Sequence, residues 1–297
     1  MAQHFDAVVI GTGQGGRRTA VVERAAFGGT CVNVGCTPTK AYVASARAAH
    51  VVRHAARLGV LVSGAVNVDL SAVKARKDKI KIIGQSRDGV EQWLRGTENV
   101  TVFNGHARFT EPHTLSISGA DGTVLHELSA GEIFLNTGTR AVVPPLEGIE
   151  RIRYYTNSSL LELTELPSRL VIVGGSYIAL EFAQVFRRFG SEVTVLVRGD
   201  RVLTREDADL AESVQKVLAR EGVEFRFGVQ PSRVGPHPHR ENEVCIGFEQ
   251  NVPALEASHL LFATGRALSL LVQYAMHIHP TISELIPTLL DGLKPLK

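Results

Sequence analysis

Apolar and polar residues follow three different periods along this chain. Almost continuous apolar runs at residues 6–10, 19–23, 132–140, 170–173, 192–197 and 260–263 carry the pattern of parallel strands buried on both faces. Apolar positions recur at helical spacing over 41–58, 69–94, 179–189 and 208–220, which predicts four helices. Strict alternation governs 100–103, 107–109, 114–118 and 124–128, and Asn-Gly, Glu-Pro and Gly-Ala-Asp-Gly turns separate them, so these four predict a small antiparallel sheet. Further strands are expected at 223–227 and 244–248. The fold class that results is α/β, with doubly wound, Rossmann-like units and a small antiparallel sheet.

Glycines mark two places where such units turn from strand to helix. In the first, Gly11, Gly13 and Gly16 occupy the first, third and sixth places of a dinucleotide fingerprint. The next strand starts three residues after Gly16, and Arg17-Arg18 cannot supply the crossover that parallel neighbours need. The first unit therefore lacks its helix, although Glu23 stands where a ribose-binding acid belongs. Alternatively, residues 6–23 close as an antiparallel hairpin over a glycine-rich turn, which offers no helix end to a phosphate.

The second turn is complete. After the strand at 170–173 comes Gly174-Gly175-Ser176-Tyr177-Ile178-Ala179, then a helix, Gly190 and a strand at 192–197. Gly174 and Val197 are 23 residues apart, near the roughly 20 a mononucleotide unit needs. Ser176 and Ala179 replace the second and third glycines; alanine is an accepted third residue, while Ser176 adds a side chain where backbone should meet pyrophosphate. The second strand ends on Val197 where an acid would select NAD, and Arg198, Arg201 and Arg205 follow. Guanidinium forks suit a 2′-phosphate, so NADP is expected in preference to NAD.

Composition changes this picture little. A chain of 297 residues, 44% hydrophobic and 21% charged, can bury a core and form two domains. A net charge of +2 without long runs of either sign points to neither nucleic acid nor a membrane surface. The N-terminus has no basic or long apolar leader, and no run reaches the roughly 18 apolar residues of a membrane span, so a cytoplasmic location is expected. Three cysteines there argue against a structural disulfide framework. Cys245, in a strand-like run, reads as inert; His50 and His54 as a solvated helix face; Trp93 as a packing residue; and His237 and His239 as part of a mobile polar loop rather than a metal site. No metal site is expected.

Cys31 and Cys36 lie in Gly28-Gly29-Thr30-Cys31-Val32-Asn33-Val34-Gly35-Cys36-Thr37-Pro38-Thr39-Lys40. In a straight helix they would be roughly 8–9 Å apart, beyond the roughly 7 Å Cα limit for a bridge, so bonding them requires a bend, which Gly35 and Pro38 permit. This stretch closely resembles the redox-active disulfide of the flavin-dependent pyridine nucleotide disulfide oxidoreductases, the family of glutathione reductase, dihydrolipoamide dehydrogenase and mercuric reductase. The resemblance implies FAD and NAD(P)H as cofactors and a disulfide reduced through the flavin, with Cys31 the interchange thiol and Cys36 facing the flavin. It implies an acid–base pair in His279 and Glu284, contributed in the family by the other subunit of a homodimer, and a lysine–glutamate pair beside the flavin in Lys40 and Glu181.

By the same resemblance, Gly11, Gly13, Gly16, Glu23, Gly29, Thr30, Thr137 and Gly138 fall to FAD, and Gly174, Ser176, Tyr177, Ile178, Arg198 and Gly265 to the second nucleotide domain. Residues 1–150 then form a shortened FAD-binding domain, 151–266 the NAD(P)-binding domain and 267–297 a remnant of the dimerisation domain. No Gly-Asp follows Arg266, so internal stretches are missing relative to the family and most of the interface domain is absent. The substrate implied is a disulfide or a metal ion. Thr37–Lys40 and Met276–His279 are similar to mercuric reductases, whose C-terminal cysteine pair is not found in 291–297. A second reading is a flavin-free remnant that only binds NADPH.

Overall fold

The computed structural model describes residues 2–11, 18–79, 81–249 and 252–268. Strand β1 (Gln3–Ile10) leads to β2 (Thr19–Glu23), then to α1 (Gly29–Val34), α2 (Cys36–His54), α3 (Leu70–Lys79) and α4 (Lys81–Gly96). Strands β3 (Val100–Asn104), β4 (His106–Glu111), β5 (Thr114–Ser118), β6 (Val124–Leu135) and β7 (Thr139–Ala141) follow. The second half runs α5 (Asn157–Leu160), β8 (Arg169–Val173), α6 (Tyr177–Phe189), β9 (Glu192–Val197), α7 (Ala208–Arg220) and β10 (Glu224–Phe227). It continues through β11 (Pro231–Pro236), β12 (Val244–Phe248), β13 (Leu255–Ala257), β14 (His259–Phe262) and β15 (Arg266–Leu268). Among the described residues no helix is long and apolar enough to cross a membrane.

The chain divides into two compact units, and the division is not linear. Of the described residues, the first takes in 2–11, 18–33, 84–140 and 268; the second, 34–79, 81–83, 141–249 and 252–267. Residues 34–83 join the second unit because α2 lays an apolar face on α6. Tyr42 is fully buried there, its ring 6.0 Å from that of Phe189, and its hydroxyl donates to the Leu161 carbonyl at 3.0 Å. Arg53 of α2 also donates to the carbonyls of Arg188 and Phe189, which lie among the orphan acceptors at the C-terminal end of α6.

The first unit is one six-stranded sheet in the order β3-β2-β1-β6-β5-β4. β1 and β2 run parallel with Ala7 opposite Thr19 and Ile10 opposite Val22, so the hairpin alternative is overturned. β3 and β6 fix that direction by pairing parallel to β2 and β1 in turn. Residues 100–103 accordingly belong to the parallel part, not to the antiparallel sheet. Their side chains explain it: Val100 and Val102 pack with Val21, Phe27 and Leu94, while Phe103 joins Phe5, Val8 and Val22 on the other face.

Three further differences are local. The antiparallel strands are continuous with the parallel ones because twelve-residue β6 pairs with both β1 and β5. Its C-terminal half is not buried, since Phe134 stands 46% exposed, and Trp93 on α4 is 52% exposed and not a core residue. Helix is found on both sides of residue 80 over the stretch expected at 69–94, as Leu70–Lys79 and Lys81–Gly96.

The second unit holds an all-parallel sheet in the order β10-β9-β8-β14 and an antiparallel one in the order β11-β12-β13. Leu170, Ile172, Val193 and Val195 face α6, where Phe182, Phe186 and Phe189 cover them; Val171, Val173 and Leu196 face the antiparallel layer with Ile246. The loop around His237 is anchored. His237 is 5% exposed at its side chain, its Nδ1 accepts the backbone N–H groups of His239 and Arg240 at 3.0 Å, and Nε2 meets Glu256 at 3.2 Å. With Nδ1 an acceptor, Nε2 carries the proton and donates.

Candidate functional site

In the first unit the β1 turn keeps its glycine geometry. Gly11 has φ +97° and donates its N–H to the Val22 carbonyl at 2.8 Å; a Cβ there would stand 2.3 Å from the Asn136 carbonyl oxygen. Gly13 and Gly16 lie outside the described residues. Glu23 ends β2 half-buried, and its Oε1 accepts the Ala25 N–H at 2.9 Å, so the carboxylate curls over its own turn. Gly28 and Gly29, at φ +89° and +62°, swing the chain into α1 through left-handed positions that favour glycine. Asn33 closes this turn by donating Nδ2 to the carbonyls of Phe27 and Gly29 at 2.8 and 2.9 Å. Thr30 is half-buried and Cys31 exposed on α1; Thr137 and Gly138, the latter at φ +69°, follow β6.

Cys36 opens α2 in the second unit. The bend expected between the cysteines falls at Gly35, whose φ −126° and ψ −117° belong to neither helix nor strand. Thr39, 6% exposed, donates Oγ1 to the Gly35 carbonyl at 2.7 Å, so the first turn of α2 is tied at its start. Cys36 is exposed beside it. One turn on, Lys40 forms an ion pair with Glu181 of α6, which brings together the two residues expected to pair.

The dinucleotide turn between β8 and α6 is intact. Gly174 has φ +129°, and a Cβ on it would stand 2.4 Å from the Ala263 carbonyl oxygen. Ser176 is the N-cap of α6 but makes no capping hydrogen bond with its side chain, Tyr177 begins the helix 69% exposed, and Ile178 is half-buried. Arg198 is exposed after β9. Arg201 donates to the carbonyls of Glu206 and Thr204 at 3.1 and 3.2 Å and so braces its own loop. That loop is pinned to the turn by Val202, fully buried, and by the Leu203 N–H, which donates to the Gly175 carbonyl at 2.8 Å. Gly265, at φ +119°, follows β14, and its carbonyl accepts the Val142 N–H at 3.0 Å.

Electrostatics in the second unit favour fixed protonation states. Burial, then the carboxylates of Glu162 and Asp78, push the Tyr42 hydroxyl well above its usual range, so it stays protonated and able to donate to the Leu161 carbonyl. Lys77, 6% exposed at its side chain, donates to the same Leu161 carbonyl and pairs with Glu162. Burial raises the Cys245 thiol, with Glu256 adding to it, in keeping with an inert sulfur. His54 Nδ1 lies 2.8 Å from the His50 carbonyl, and no metal-binding group of His, Cys, Asp or Glu is found among the described residues. His279 and Glu284 lie outside the described residues.

The two units fit their expected nucleotides unequally. In the second, the tight turn at Gly174 and the start of α6, which no side chain caps, leave amides for a pyrophosphate. In the first, only eight residues separate the parallel strands β1 and β2, too few for the crossover helix that would hold the FAD pyrophosphate. Sequence reading missed two buried residues that hold the cysteine-bearing segment, Tyr42 and Asn157. Their partners lie more than a hundred residues away, and no local pattern announces them.

The family profile described as pyridine nucleotide-disulphide oxidoreductase matches residues 5–279. The probable pyridine nucleotide-disulfide oxidoreductase RclA of Escherichia coli is 34% identical over 88% of this chain and 56% of its own length. A mercuric reductase of Lysinibacillus sphaericus is 31% identical over 89% and 48%, and a dihydrolipoyl dehydrogenase of Bacillus subtilis 34% over 88% and 55%. The solved structure of the Cu(II) complex of E. coli RclA, described as an HOCl-induced flavoprotein disulfide reductase, superposes with a TM-score of 0.78 at 31% identity, over 95% of this chain and 62% of that one. The chain thus spans about half the length of these curated relatives.

Proposed function

The chain belongs to the pyridine nucleotide-disulphide oxidoreductase family, and from that premise we propose that it is a cytoplasmic NAD(P)H-dependent disulfide oxidoreductase acting on a small disulfide or a metal ion. The observation that carries this reading is the Lys40–Glu181 ion pair, which sets the Cys36 helix on the first helix of an intact dinucleotide unit. NADPH binds at Gly174, Ser176, Tyr177 and Ile178, with its 2′-phosphate on Arg198 and Gly265 at the far side of the turn. Cys31 and Cys36 interchange between dithiol and disulfide, Cys31 toward the substrate, with His279 as the proton carrier and Glu284 orienting it.

FAD supplies, in this family, the passage of an electron pair from nicotinamide to sulfur. The residues assigned to it are Gly11, Gly13, Gly16, Glu23, Gly29, Thr30, Thr137 and Gly138, with Lys40 and Glu181 beside the ring. The missing crossover helix disagrees with a family-like FAD seat. That same observation favours the second reading, a flavin-free remnant that binds NADPH. Residues 1–150, 151–266 and 267–297 stand for the FAD half, the NADPH half and the remnant of the homodimer interface.

Absorbance of the purified protein between 350 and 500 nm, read with NADPH-driven reduction of an aromatic disulfide, tests the proposal. A yellow protein that turns over supports the oxidoreductase. Colourless protein that still binds NADPH tightly, and does not turn over when FAD is added, leaves only the second reading.

A further inference from the structure

Val34 ends α1, so its carbonyl is one of the acceptors a helix leaves without an intrahelical partner. Asn157, at the start of α5 and only 9% exposed, donates Nδ2 to that carbonyl at 3.0 Å. Its Oδ1 accepts from Arg266 Nη1 at 3.4 Å, and Nδ2 also lies 3.5 Å from Ser158 Oγ. The amide is therefore oriented at both ends, because a carbonyl takes only its NH2 and a guanidinium only its oxygen. The next carbonyl, that of Gly35, is held by the Thr39 N–H at 3.1 Å and by Thr39 Oγ1. Two consecutive carbonyls leading into Cys36 are thus fixed, one from within α2 and one from a side chain 123 residues away.

Gly35 has a backbone conformation outside the helical and extended ranges, one that a residue without a Cβ adopts most readily. A bend of that kind keeps one geometry only where its surroundings determine it. We infer that Asn157 is a positioning residue for Cys36: by holding the Val34 carbonyl it fixes the bend at Gly35, and with it the place from which the Cys36 sulfur meets its partner. The inference rests on the dithiol–disulfide reading of Cys31 and Cys36 proposed above. Asn157 belongs to no cysteine or glycine motif, and Arg266, which orients it, lies beside the Gly265 turn of the dinucleotide unit. The bend and that turn are consequently joined by one hydrogen-bonded relay of three residues.

The full chain, as wild type and as Asn157→Asp and Asn157→Ala, is equilibrated at one pH with glutathione buffers of graded ratio, quenched by alkylation and read by mass spectrometry. In the reaction measured, two cysteine thiols give two electrons and two protons to glutathione disulfide, forming the protein disulfide and two glutathione thiols. Asp keeps the size and the Arg266 partner of Asn157 but offers an acceptor to an acceptor. Both variants are expected to move the Cys31–Cys36 equilibrium toward the dithiol by about two- to tenfold, the range spanned by one net hydrogen bond. Alkylation of Cys245 stays unchanged.

A merely structural asparagine would lower the melting temperature and leave the redox equilibrium where it was, and that result overturns the inference. Unchanged equilibrium in both variants does so as well. Failure of the wild type to form a Cys31–Cys36 bridge at any ratio refutes the dithiol reading first and the inference with it. A bridge with shifted equilibrium in the variants upholds both.

Discussion

Replacing Gly174 by alanine puts the intact dinucleotide turn to a quantitative test. At φ +129° an L residue is strained whatever room it has, a penalty of about 1–2 kcal/mol. The added Cβ would also stand 2.4 Å from the carbonyl oxygen and 2.8 Å from the carbonyl carbon of Ala263. Those are backbone atoms at the end of β14, held in place because the Ala263 N–H donates to the Val173 carbonyl at 2.9 Å, so they cannot rotate away as a side chain would. Relief requires the end of β14 to part from β8, which adds about 1–3 kcal/mol of overpacking.

The expected total, about 2–5 kcal/mol, should appear as hydrogen exchange at the Ala263 amide accelerated by about 30- to 4000-fold. NADPH affinity should fall with it. Two other glycines calibrate the scale. Gly138, at φ +69° with nothing within 4 Å of its Cβ, carries the backbone penalty alone, and Gly138→Ala should cost about 1–2 kcal/mol in its own unit. Gly89, inside α4 with ordinary φ and open space, should gain about 0.5–1 kcal/mol as alanine. Exchange at Ala263 in Gly174→Ala at the wild-type rate, or Gly138→Ala costing as much as Gly174→Ala, would refute the steric argument.

Two further outcomes follow from the second unit. Ser191 is 1% exposed and its Oγ has no hydrogen-bond partner among the described residues, so Ser191→Ala removes an unsatisfied group and should be neutral or stabilising by up to about 1 kcal/mol; a clear loss in urea unfolding would contradict this. Burial pushes the Glu221 carboxyl up, yet two hydrogen bonds from Arg188, at 2.6 and 2.7 Å, and its charge hold it below its ordinary value of 4.5. A depressed carboxyl stabilises fully above its unfolded value and loses that contribution as pH falls through the folded one. Glu221→Gln should therefore lower the melting temperature at pH 7 and flatten its fall between pH 5 and 3, whereas parallel melting curves for variant and wild type would contradict the assignment.

Much of this molecule is fixed by local sequence. The run from Leu170 to Val197 specifies strand, glycine turn, helix and strand within 28 residues, and each piece forms as its own apolar period requires. Gly174 and Gly35 are legible for the same reason, because positive φ and a helix break are demands on a single residue. The Lys40–Glu181 pair was legible only through the family resemblance, since nothing local in either helix asks for a partner.

Tertiary structure decided the rest. Residues 100–103 alternate as an antiparallel strand would, yet they add in parallel to β2, because both faces of that edge find apolar cover and alternation records exposure, not partner direction. The arginines after β9 carry one charge each in the sequence, but only packing shows that Arg201 turns onto its own loop while Arg198 stays exposed. Asn157 and Tyr42 reach back across more than a hundred residues to hold the segment around Cys36. The sequence by itself determined which residues could do the chemistry, since reactivity and backbone freedom belong to single side chains; where those residues are held was decided by hydrogen bonds and burial that exist only once distant segments have packed.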